Sequence, residues 1–174
     1  VKEAKLRGAK VVSICNVVGS SLARESDGVL YTHAGPEIGV ASTKAYTAQL
    51  SMLYLLAIKL GVVRKALSPK NSRRIMKELR HIQSLYSDIL RHKSVIAKVA
   101  RANSHFGCFL FLGRNVNYPS ALEGALKLKE ISYIHAEGFA GGELKHGPIA
   151  LIQNGTPCIC LVANDEVREE ILSN

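Results

Sequence analysis

Glu123, Lys127 and Glu130 recur three or four residues apart within Tyr118 to Ile152, YPSALEGALKLKEISYIHAEGFAGGELKHGPIALI. On a helix that spacing places them on neighbouring turns as one charged row. A second run follows, His135, Glu137, Glu143, Lys145 and His146, broken by Gly138, Gly141 and Gly142. Carboxylates, an amine and imidazoles are the groups that exchange protons near neutrality, so the combination is that of an acid–base site. The plainer reading is a solvated helix face whose ion pairs contribute about 0.2–0.5 kcal/mol each. Spacing alone leaves both open. The surroundings favour a site, because the neighbouring residues are largely apolar or small. Gly-Gly-Glu-Leu-Lys-His-Gly-Pro also spends four of its eight positions on glycine or proline without reading as a simple turn.

The elements that must carry these groups follow from periodicity. Tyr118-Pro119 starts a helix, since proline is tolerated in a first turn. Leu122, Leu126 and Ile131 or Ile134 share its apolar face, with Ala121, Gly124 and Ala125 between them; a glycine-rich loop is expected after it. Earlier, AKVVSIC (Ala9 to Cys15) reads as a buried parallel strand, and Asn16 to Ser21 as a turn at its carboxyl end, where open α/β sheets bind ligands. Gly28 to His33 reads as a second strand. Ser42 or Thr43 caps a helix running to about Leu60 and ended by Gly61, with Ala45, Leu50, Leu53, Leu56, Ala57 and Leu60 facing inward. Its N-terminus, with free N–H groups and hydroxyls, suits an anion or a sugar hydroxyl, though the Ser and Thr could be caps and nothing more. Ser68-Pro69 opens a helix to about Arg91, and His92 to Asn103 adds another. Cys108 to Leu112 is a strand ending at Gly113-Arg114, Pro157 to Val162 is a further strand, and a charged helix starts at Asp165.

With 174 residues, 47% hydrophobic and 21% charged, the composition is that of an ordinary globular protein. The longest apolar region, around Leu50 to Leu60, is broken by Ser51 and Lys59, so no membrane span is expected, and VKEAKLRGAK lacks the apolar core of a signal peptide. The chain starts at Val1 and stops at Asn174, inside an apparent helix start, and reads as an internal segment. A net charge of +9 invites a nucleic-acid reading. The excess cations cluster between Arg64 and Arg101, however, with no helix-turn-helix, zinc-finger or aromatic RNA-reading motif. Solvated helix faces are the better expectation, and no nucleic-acid partner is expected. Cys15, Cys108, Cys158 and Cys160 sit in apolar β-like runs as small hydrophobes, form no C-x-x-C pair, and point to no metal site and to a reduced, cytoplasmic protein.

ALEGALKLKEISYIHAE followed by GELKHGP closely resembles the isomerase half of the glutamine–fructose-6-phosphate aminotransferase family, the glucosamine-6-phosphate synthases. A second block resembles the same family independently: Cys15-Asn16-Val17-Val18-Gly19-Ser20-Ser21, then Arg24-Glu25-Ser26-Asp27, then Gly35-Pro36-Glu37-Ile38-Gly39-Val40-Ala41-Ser42-Thr43-Lys44. The blocks keep the family's order. The resemblance implies an α/β fold, a three-layer αβα sandwich with a parallel sheet of the flavodoxin-like sugar-isomerase (SIS) type, in a chain spanning two related units. Residues 1–66 would close a first SIS domain, 67–103 would be a helical connection and 104–174 would open a second.

The implied chemistry is conversion of fructose 6-phosphate, with glutamine-derived ammonia, to glucosamine 6-phosphate. That needs a proton moved between adjacent carbons, for which a carboxylate is suited if held close and raised in pKa by partial burial. By the resemblance Glu130 is this base, Lys127 positions the sugar and its charge, and His146 opens the sugar ring from the neighbouring subunit, which implies a homodimer. Val40, Ala41 and Ser42 would line the sugar-phosphate pocket. His33 and His135 carry no role. The family's phosphate-gripping loops and Schiff-base lysine fall outside these residues, as does its glutaminase domain, so the segment by itself is expected to be inactive; no cofactor is implied. Two alternatives remain, a sugar-phosphate-sensing SIS module, which would not need a positioned base, and a glutamine-independent amino-sugar-phosphate isomerase or deaminase.

Overall fold

A computed structural model describes residues 1–173 and divides the chain into two compact units, 1–91 and 92–174. The first contains α1 (Lys2–Leu6), β1 (Val12–Cys15), α2 (Ser21–Glu25), β2 (Gly28–Tyr31), α3 (Lys44–Val63) and α4 (Pro69–Arg91). The second contains α5 (Lys93–Asn103), β3 (Cys108–Gly113), α6 (Tyr118–Ser132), β4 (His135–Ala140), β5 (Cys158–Cys160) and α7 (Arg168–Leu172). Every strand pairing is parallel, with helices on the sheets, as the α/β expectation requires.

In the first unit β1 and β2 pair from Val12 with Gly28 to Cys15 with Tyr31. Asp27 sets that register: its carboxylate accepts the Val11 N–H at 2.9 Å and lies 3.4 Å from Lys10 Nζ. The Val11 bond and the nearby Lys10 and Lys5 hold its pKa below the usual 3.8. At the carboxyl end Asn16 ties the chain beyond β2, its Oδ1 accepting from Thr32 Oγ1 (3.0 Å) and Ala34 N–H (2.9 Å) while Nδ2 donates to the Gly35 carbonyl (2.7 Å). Ser20 caps α2, a helix the sequence pattern does not reveal.

Helix α3 departs from expectation in three ways. Thr43 occupies the N-cap position, but neither it nor Ser42 makes a side-chain cap bond. Gly61 lies inside the helix, which continues to Val63 and leaves through Lys65 at φ 57°. Of its apolar residues Ile58 is the buried one, while Leu50, Leu53, Ala57 and Leu60 are exposed. By length and composition α3 also suffices to cross a bilayer, with a hydropathy of 1.4, so Ser51 and Lys59 interrupt it less than the sequence suggests. In this structure it lies against β1 and α4. Ser68 Oγ accepts the Asn71 N–H at 3.2 Å and so caps α4, whose Arg73, Arg74, Lys77 and Arg80 stay in solvent.

The second unit holds a sheet of order β4-β3-β5. Alternation along β3 divides the core by face. Phe109 and Phe111 pack with Ala121 and Ala125 of α6 and Ala136 of β4, while Leu112 packs on the other face with Leu144 and Ile171. Helix α6 therefore rests on the sheet through Ala121 and Ala125, with Leu128 beside them, and not through Leu122: Ala121 is 0% exposed and Leu122 is 42%. The expected face of Leu122, Leu126 and Ile131 or Ile134 is corrected accordingly: Leu122, Leu126 and Ile131 are exposed, and Ile134 packs on the core. The reason is close approach. A Cβ on Gly138 would meet Leu122 Cα at 2.9 Å, leaving no room for a large side chain between α6 and β4. His135 to Ala140, expected as loop, is a strand with small residues Ala136, Gly138 and Ala140 on the helix side. Cys158 and Cys160, read as small hydrophobes in an apolar run, are exposed, because β5 pairs only with β3 among the described residues.

Candidate functional site

The candidate site in the second unit is built on α6. Gly113 ends β3 in a turn so tight that a Cβ there would meet the Asn117 carbonyl oxygen at 2.3 Å. A 3₁₀ turn (Asn115–Asn117) then feeds Pro119 into the first helical turn. With Ala121 and Ala125 fixed against the sheet, the helical repeat carries Glu123, Lys127 and Glu130 to a half-buried flank.

The three form a clamp around one ammonium. Lys127 Nζ lies 2.5 Å from Glu130 Oε2 and 3.2 Å from Glu123 Oε1. The side chains are 19% (Lys127), 28% (Glu130) and 22% (Glu123) exposed, which distinguishes this row from a solvated helix face. The hydrogen bond to Glu130, reinforced by Glu123, holds the Lys127 pKa above the ordinary 10.5 against the desolvation that opposes it. At neutral pH the row thus carries a fixed ammonium between two carboxylates. Such a group can orient an oxygen-rich anionic ligand beside a carboxylate able to take up a proton.

The remaining candidates lie elsewhere. A 3₁₀ run, Gly141–His146, follows β4 and is anchored by buried Leu144. It presents His146, whose Nδ1 lies 3.0 Å from Glu143 Oε2, both side chains about two-thirds exposed or more. His146 makes no ion pair with the α6 row among the described residues. His135 lies 3.8 Å from Glu137 on β4. Val40, Ala41 and Ser42 belong to the first unit, in the loop between β2 and α3, with Val40 92% exposed. The Thr43 N–H, which the sequence leaves free for a ligand, donates to Glu37 Oε1 at 2.9 Å. Neither Glu123 nor Glu143 nor Glu37 is assigned a role by sequence reasoning. The first two were detectable as partners three or four residues from Lys127 and His146. Glu37, in irregular chain six residues before its partner, carries no periodic signal. No group of three or more metal-ligating side chains occurs among the described residues.

Known proteins extend this picture. Isomerising glutamine–fructose-6-phosphate aminotransferase of Methanosarcina acetivorans is 51% identical over all 174 residues, which amount to 28% of that protein's length. The solved C-terminal domain of glucosamine-fructose-6-phosphate aminotransferase from Francisella tularensis superposes with a TM-score of 0.96 at 43% identity, over 99% of this chain and 48% of that one. The solved glucosamine-6-phosphate deaminase from Thermotoga maritima gives a TM-score of 0.72 at 29% identity, over 97% of this chain and 51% of that one. The chain thus spans little more than a quarter of the length of the curated relatives it matches. The SIS domain model matches residues 1–59 and 109–174, most of the sequence. With parallel sheets flanked by helices and that model covering both units, this chain belongs to the SIS domain family.

Proposed function

We propose that this chain is part of the isomerase region of an isomerising glutamine–fructose-6-phosphate aminotransferase, forming glucosamine 6-phosphate from fructose 6-phosphate in amino-sugar biosynthesis. One observation carries the reading: Lys127 sits between Glu123 and Glu130 in a half-buried row, within a chain half identical to such enzymes. A module that only sensed sugar phosphates would need contacts to the phosphate, not a carboxylate held against an ammonium.

In this reading Glu130 is the base that carries the proton between C1 and C2 of the open-chain sugar. Lys127, kept protonated by its two carboxylates, faces the charge that develops on the sugar oxygens. His146, an exposed imidazole on a short 3₁₀ run, opens the ring of a substrate bound to the second copy of a homodimer. Val40, Ala41 and Ser42 line the pocket. Ammonia comes from a glutaminase domain of the longer protein, no cofactor takes part, the enzyme is cytoplasmic, and the 174 residues by themselves are inactive. Residues 1–66 and 104–174 serve as parts of two SIS domains joined through 67–103.

The full-length protein is the right object for a test. Glucosamine 6-phosphate formed from fructose 6-phosphate and glutamine supports the proposal. Product with ammonia but not glutamine favours the glutamine-independent alternative, which the 29% identity to a glucosamine-6-phosphate deaminase makes specific. Sugar-phosphate binding without turnover contradicts both and leaves the sensor.

A further inference from the structure

The chain between β2 and α3 has no regular structure, and its apex is apolar and in solvent, Ile38 95% and Val40 92% exposed. Nothing packed beneath those two side chains holds the loop in shape. Two polar ties do. Glu37 Oε1 accepts the Thr43 N–H at 2.9 Å, and Lys44 Nζ donates to the Pro36 carbonyl. They cross-link the stem on both sides and leave residues 38–42 as the arc between them. The carboxylate is more than a surface contact: Glu37 is half-buried, and its Oε2 is enclosed without a hydrogen-bond partner among the described residues.

We propose that Glu37 is a positioning residue that preorganises the segment Val40-Ala41-Ser42 for the sugar phosphate; this rests on the functional reading above. The carboxylate satisfies the N–H of Thr43, the N-cap residue of α3, and it brings negative charge to the positive end of that helix. The Ser42 hydroxyl is thereby left to face a ligand. A binding loop already closed in its bound shape loses less entropy when ligand arrives, so the tie acts on affinity and not on the chemical step.

The test uses the full-length enzyme. Glu37→Ala is expected to raise KM for fructose 6-phosphate roughly tenfold, the scale of losing one charge-assisted hydrogen bond, with kcat nearly unchanged. Glu37→Gln, whose amide oxygen can accept the same N–H, is expected to recover most of the affinity. Hydrogen exchange at the Thr43 amide reads the tie without substrate: slow in wild type and Glu37→Gln, fast in Glu37→Ala. An unchanged KM in Glu37→Ala, a fall in kcat as large as the rise in KM, or no recovery in Glu37→Gln would overturn the inference. A Thr43 amide as labile in wild type as in Glu37→Ala would do the same. Absence of glucosamine 6-phosphate from the wild-type enzyme would overturn the functional reading instead, and the exchange measurement would still decide whether Glu37 holds the loop.

Discussion

A single ammonium shared by two carboxylates is more constrained than either ion pair alone. Glu130 draws Lys127 to 2.5 Å, and Glu123, one helical turn earlier, holds it from the other side at 3.2 Å. Exposed pairs at this spacing contribute little, but these side chains are roughly four-fifths to seven-tenths covered, where charge interactions are screened less. Removing the charge of Glu123 leaves Lys127 free to close entirely on Glu130 and to occupy it. Glu123→Gln is therefore expected to lower kcat by about three- to tenfold, with a smaller change in KM, measured by steady-state formation of glucosamine 6-phosphate. Unchanged kinetics would show that Glu130 alone fixes the lysine.

At the scale of elements, α6 depends on how closely it can lie on β3 and β4. Ala121, Ala125, Ala136 and Gly138 form that contact, and a Cβ at Gly138 would press on the Leu122 backbone at 2.9 Å. Gly138→Ala is expected to destabilise the second unit by about 1–3 kcal/mol, read as a lowered melting temperature of the full-length protein. Gly107→Ala, where an added Cβ meets nothing within 4 Å, is the control expected to leave it unchanged. The same small residues explain what the sequence hid. A helix whose buried face is centred on alanine has no strong apolar period, so Leu122 and Leu126 look like the core face when they are its exposed margin. In β4 the glycine that permits the contact reads as a breaker, and His135 and Glu137 on the other face read as loop. The strand Cys108–Gly113 was legible because bulk and burial coincide there, whereas Val12–Cys15, expected as a buried strand, was legible from its β-branched run alone, since Val12 is exposed and Ser13 is its buried residue. Helix α4 was legible for the opposite reason, an explicit serine cap and first-turn proline.

At the scale of the whole molecule, the candidate residues fall in two blocks distant in sequence, one in each unit. The charged row of α6 could be read directly, since helical spacing fixes which side chains meet. The ties of the β2–α3 loop could not, because irregular chain has no period from which a partner can be counted. The Glu37–Thr43 bond emerges only once the fold is in hand. In both blocks the first assigned residues stand beside a second carboxylate that orders them, Glu123 beside Lys127 and Glu37 beside Val40-Ala41-Ser42. The central claim is that Glu130 moves the proton. The direct measurement compares wild type and Glu130→Gln in the full-length enzyme, following both fructose 6-phosphate binding and product formation. An amide is nearly isosteric with the carboxylate and cannot take up a proton at neutral pH, so binding should persist within a few-fold while kcat falls by at least about a hundredfold, the usual share of a general base. Turnover near the wild-type rate in Glu130→Gln would contradict the assignment and require another residue to carry the proton.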